Sequence, residues 1–146
     1  MWRAVRIGLF CVVALAVFIV ALPDSNRRYP RSETSPIKAI TTIHTAQVQY
    51  YSAYNRYAAS LPELGPPASG ADGPSAAGLI ERDLASGNKG GYKYALTPTP
   101  GGYTIAAMPD QHVTSGGRTF LSDQSMGIHV HFGSEPATMR DPLLGE

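Results

Sequence analysis

Cysteine is almost absent: Cys11 is the one thiol among 146 residues, so no disulfide can form within the chain and no paired-thiolate metal site can be built. Cys11 also makes a poor lipid acceptor, because Leu9 and Phe10 stand before it where small residues are wanted and the hydrophobic run continues past it. Charge is sparse, with Asp, Glu, Lys and Arg together at 16% and a net charge of +1. From Lys38 onward the basic residues are scattered and outnumbered by acidic ones, which argues against nucleic acid as a partner. The signatures of common catalytic sites are missing as well. There is no HExxH helix, nucleophile elbow or phosphate-binding loop, and the Gly-rich stretch from Gly87 to Gly91 precedes a strand pattern instead of a helix. These absences predict no catalytic residue, no cofactor and no enzyme activity.

What is present is enough apolar material for one folded unit. A hydrophobic share of 43% with near-neutral charge belongs to a globular chain rather than a disordered tail. The sequence divides into residues 1–35, a signal or anchor segment with its linker, and residues 36–146, a single domain. The second part lies within the range of roughly 100 to 150 residues in which one core folds alone.

Arg3 and Arg6 precede an uncharged apolar run from Ile7 to Leu22, the form of a secretory signal or a short membrane anchor. At about 1.5 Å per residue the run reaches roughly 24 Å, short of the roughly 30 Å hydrocarbon core. Arg6 could snorkel and Trp2 sit at the interface to make up the difference. Cleavage after Ala21 is weakly encoded, with Ile19 at the minus-three position and Pro23 close behind. We therefore expect a retained anchor, engaging the membrane through Ile7 to Leu22, with the domain outside the cytoplasm in the periplasm or at the cell surface. Secretion after signal cleavage is the alternative. Arg27, Arg28 and Arg31 offset Arg3 and Arg6, so the positive-inside count leaves orientation open.

Ser35-Pro36 is a helix start, with Ser35 as N-cap and Pro36 at the first helical position, where its missing N–H is not needed. Ile40, Ile43, Ala46, Tyr50, Tyr54, Tyr57 and Leu61 recur at steps of three or four, predicting a helix from Pro36 to about Ser60 with these residues facing a sheet. Tyr51 falls off that stripe. Residues 68–74, rich in Gly, Pro and small side chains, read as a loop. Ser75 then caps a short helical pattern carrying Leu79, Ile80 and Leu84 and closed at Gly87.

The C-terminal part alternates with period two. Tyr92, Tyr94 and Leu96 form one run and Tyr103, Ile105 and Ala107 another, with turn chemistry from Pro98 to Gly102 between them. Arg118 to Asp123 and Gly127 to Phe132 make a second hairpin. The predicted fold class is α+β: an N-terminal apolar anchor segment, a long helix packed on a four-stranded antiparallel sheet, and a short extra helix in the intervening loop.

The helix residues from Ala39 to Tyr51, followed by Gly101-Gly102-Tyr103, Ala107-Met108-Pro109, Arg118-Thr119-Phe120, Asp123 and Gly127-Ile128-His129, resemble the type IV pilin-like proteins, which include the pseudopilins of type II secretion. The resemblance spans most of Ile37 to Leu144. It implies a non-catalytic, extracytoplasmic structural subunit of a pilus or secretion pseudopilus. The implied partners are other pilin-like subunits or secretion components, with a homo-oligomer as one form of assembly. The prepilin motif departs from the family pattern: Gly8 is followed by Leu9, and Val13 stands where the family carries Glu. The alternative is a stand-alone anchored or secreted pilin-like binding domain that does not polymerise.

Metal chemistry has few candidates. His129 and His131 stand two apart on a strand pattern and project to one face, with His112 or His44 as possible further ligands. A stable zinc site wants three or four converging ligands, and Ile128, Val130 and Phe132 claim the buried face, so the pair reads as a solvent-facing one. Asp123 and Ser125 offer too few oxygens for a calcium loop of the kind that some pseudopilins carry. We expect no metal, and name His129, His131 and Asp123 as the candidates.

Overall fold

The structure, a computed structural model, describes residues 34–110 and 117–145. The expected anchor at Ile7 to Leu22, its linker up to residue 33 and His112 lie outside the described residues. Among the described residues, no helix is long and apolar enough to cross a membrane. Among the described residues the expected fold class is corrected in two respects, the sheet and the helices.

The long helix, α1, covers Thr34–Tyr54. It stops short of the expected end near Ser60 because Asn55 takes the left-handed conformation, with φ 54°, and its N–H closes on Tyr51 O at 2.8 Å. Asn is one of the few residues that enter this region at low cost, and there it ends a helix. Ile40, Ile43, Ala46 and Tyr50 are buried as the stripe predicted, whereas Tyr54 and Tyr57 are only partly buried. Tyr57 instead sets its ring edge-on to Tyr103, with centroids 4.9 Å apart.

Beyond Asn55 the chain is held by a side chain in place of helical bonds. The amide of Gln47, fully buried, accepts from Ala58 N at 2.8 Å and donates to Ala58 O at 3.0 Å, so it satisfies both polar groups of a buried backbone position. Two one-turn helices follow, α2 (Leu61–Leu64) and α3 (Arg82–Ala85). The helical pattern expected from Ser75 is confined to α3. Residues 77–80 turn their N–H groups outward from the segment, to the carbonyls of Glu63, Leu64 and Gly65, and groups bonded there cannot serve an i to i−4 ladder. Gly65 is where the two short helices meet: a Cβ there would fall 2.4 Å from Ala85 Cβ.

The sheet has five strands, not four, in the order β1-β2-β3-β4-β5, with every neighbouring pair antiparallel. The strands are β1 (Asn88–Lys89), β2 (Tyr92–Thr99), β3 (Gly102–Pro109), β4 (Arg118–Asp123) and β5 (Ile128–Phe132). The added strand, β1, is two residues long and pairs with the start of β2. β2 and β3 pair from Tyr92↔Pro109 to Thr99↔Gly102, so the connection is the two-residue turn Pro100-Gly101. Pro100 fixes its own φ, and Gly101 supplies φ 82°.

Pro98 is accommodated inside β2. Tyr103, its register partner, points its N–H away to Gln124 Oε1 at 3.3 Å. The pair is therefore not hydrogen-bonded, and the donor that Pro98 lacks would face the side where β1 has already ended.

One sheet face, with Tyr94, Tyr103, Ile105, Ala107, Phe120 and Val130, packs against α1 and the short helices as the core. Phe132, expected on that face, is 66% exposed. It stacks under Arg118 at 4.6 Å instead. Tyr94 carries the core's one unpartnered buried hydroxyl among the described residues, and burial pushes its pKa up to about 12. After β5 the chain folds back along that strand: Val130 N donates to Pro142 O at 3.0 Å, and Leu144 N donates to Ile128 O at 2.8 Å.

Candidate functional site

Two polar clusters stand out, one on each face of the sheet. The first joins α1 to the core face. His44, 3% exposed, has Nδ1 at 2.8 Å from Tyr103 Oη and Nε2 at 2.7 Å from Ser122 Oγ. Ser122 donates to Gly127 O at 2.7 Å. A carbonyl can only accept, so the Ser122 proton points to Gly127, and Nε2 of His44 must carry the proton that it donates to Ser122. Nδ1 is then bare and accepts from Tyr103. A serine nucleophile needs the opposite arrangement, with the imidazole nitrogen accepting from the hydroxyl. This His-Ser contact ties the helix to the sheet and does not activate a nucleophile. Burial lowers the His44 pKa, against a weaker upward pull from Asp123.

The second cluster lies on the far face, at β5. Leu121 pairs with His129 and Thr119 with His131, one residue out of step with Ser122↔Ile128, so both histidines point away from His44 and it cannot join them. His129 Nδ1 is 2.7 Å from the backbone O of Asp141, and His131 Nδ1 is 2.9 Å from Asp141 Oδ1. The other carboxylate oxygen of Asp141 accepts from Thr138 N at 2.6 Å and Thr138 Oγ1 at 2.8 Å. The bonds from His131 and Thr138 hold the Asp141 carboxyl down at about 2. The histidines are thus half-covered by the C-terminal chain, where a solvent face was expected.

Asp123 serves the β4–β5 turn. Its Oδ1 accepts from Ser125 N at 2.8 Å, and the Ser125 bonds lower its pKa despite some burial. No group of three or more His, Cys, Asp or Glu side chains converges as a metal cluster among the described residues.

Sequence reasoning names His129, His131 and Asp123 but misses Asp141, Ser122 and the Tyr103 hydroxyl. The hydroxyl-to-carboxylate spacing of Thr138 and Asp141 before Pro142 is a turn signal. Nothing in the local sequence ties that turn to His131.

Two surface clefts flank α1. One, of about 390 Å³, is bordered by Thr41, Thr45, Val48, Met126 and Ile128. The other, of about 650 Å³, has Leu79 and Ile80 in its lining together with Lys38 and the Lys89–Glu81 ion pair. The smaller cleft also takes in His44, but both of its nitrogens are bonded to Tyr103 and Ser122, and the Thr41 and Thr45 hydroxyls donate to carbonyls one turn back. Compared with known proteins, the chain is matched by no family model, no curated protein and no solved structure.

Proposed function

We propose that this chain is a non-catalytic, extracytoplasmic subunit of the pilin-like kind, held at the membrane by its N-terminal segment and working through contacts with other subunits. The observation that carries the reading is the outward face of α1. Val48 is 47% exposed and Met126, on the neighbouring turn, 53%, and both border the smaller cleft beside the helix. Single exposed apolar residues are ordinary, but these two share one groove. The His44 cluster supports the same reading, because its protons are committed to joining helix and sheet. Val13, standing where the family has Glu, favours the second reading, a stand-alone anchored domain.

A photoreactive residue at Val48, in the full chain expressed in its own cells, separates the two. Subunits in a filament should give a ladder of covalent multimers, while the same probe at exposed Lys93 gives little. Monomer alone from both positions would count against assembly and for the stand-alone domain.

A further inference from the structure

The cluster on the far face of the sheet has a property that the histidine spacing alone does not reveal: the tautomers of both rings are fixed. The backbone oxygen of Asp141 can only accept, so the His129 nitrogen 2.7 Å from it carries a proton. The Asp141 carboxylate is ionised at neutral pH and holds the proton of His131 Nδ1 in the same way, at 2.9 Å. In the neutral rings the remaining nitrogen, Nε2, is therefore a bare lone pair on each. The two rings sit two residues apart on one face of β5, a Cα separation of about 6.6 Å. One residue, Asp141, orients both, and Thr138 fixes that residue in turn through N and Oγ1.

This is the arrangement that surrounds metal-bound imidazoles, in which the ring nitrogen away from the ion donates to a carboxylate or a backbone carbonyl. His44 offers the contrast, since both of its nitrogens are spent on Tyr103 and Ser122. We propose that His129 Nε2 and His131 Nε2 form a two-imidazole site for a divalent transition-metal ion of the zinc or copper(II) type, its other positions filled by water. Imidazole suits these ions, whereas calcium and magnesium want oxygen ligands. With two protein ligands the site is open and binds more weakly than a closed structural one. Asp141 is a positioning residue here, since its oxygens are turned to the Nδ1 protons.

The test is calorimetric titration of the full-length, detergent-solubilised chain, prepared without a polyhistidine tag, with zinc and separately with copper(II). One ion per chain should bind saturably, and His129→Ala or His131→Ala should each abolish it. Asp141→Asn should weaken it by about 10- to 100-fold, the usual loss when an orienting partner is removed. Nitrogen-15 spectra of the unmutated protein give a readout that does not depend on a variant folding. Both rings should carry the neutral-state proton on Nδ1, and added metal should shift Nε2. Protons found on Nε2, no saturable binding of either ion, or binding that survives loss of both histidines would overturn the proposal.

Discussion

At the scale of single residues, His44 makes the domain sensitive to mild acid. Its ring is buried, both nitrogens are bonded as a neutral imidazole, and burial lowers its pKa below the ordinary 6.5. The unfolded chain then binds a proton more readily than the folded one, so stability rises with pH through this window. The contribution of His44 is complete above about 6.5 and is lost as pH falls toward its folded value. Urea melts between about pH 7.5 and 5.5, the range in which histidines titrate, should show the midpoint falling. His44→Gln should be less stable at neutral pH and lose less stability over that range than the unmutated protein. An equal slope in both proteins would assign the acid sensitivity elsewhere. Asp141 acts in a separate window: held at about 2 against the ordinary 3.8, it contributes above 3.8 and its contribution is lost as pH falls toward 2.

At the scale of elements, the end of α1 depends on Gln47. Gln47→Leu keeps the apolar volume but leaves the N–H and the C=O of Ala58 without the partners they have now. Stranding buried backbone groups costs about 1 to 3 kcal/mol each, so for the two groups a loss of about 2 to 6 kcal/mol is expected by denaturant unfolding. A change within experimental error would mean that the segment after Asn55 finds other partners at no cost. The same region shows why some of this fold is legible in the sequence and some is not. The strands announce themselves because Tyr92, Tyr94 and Leu96, then Tyr103, Ile105 and Ala107, alternate, and because turn residues separate the runs. The helix end does not, because Tyr54 and Tyr57 continue the apolar spacing past the point where Asn55 turns left-handed. β1 escapes sequence reasoning because two residues carry no period, and its pairing is imposed by β2. At the candidate site the histidine spacing is legible. The carboxylate that orients His131 lies ten residues downstream, outside the element, and only the fold brings it there.

At the scale of the whole molecule, the protein extracted from membranes by detergent should have the intact mass of the full sequence, since the cleavage site after Ala21 is weakly encoded. A chain beginning at Leu9 with a methylated amine would instead reveal prepilin processing despite Val13. A chain beginning after Ala21 would make the domain a secreted one. The way the C-terminal chain lies along β5 bears on the order in which such a protein is completed. Each strand of the sheet pairs with the one made just before it, so pairing can follow synthesis from one side to the other. The last strand is left with a row of bare donors and acceptors until Pro142 and Leu144 arrive to bond Val130 and Ile128. A chain cut just after Phe132 would hold nearly all of its core yet carry an unpaired edge, the feature that templates strand exchange between molecules. The segment from Pro142 to Leu144 thus works as a selvedge, the finished border that keeps a woven sheet from being continued by its neighbour.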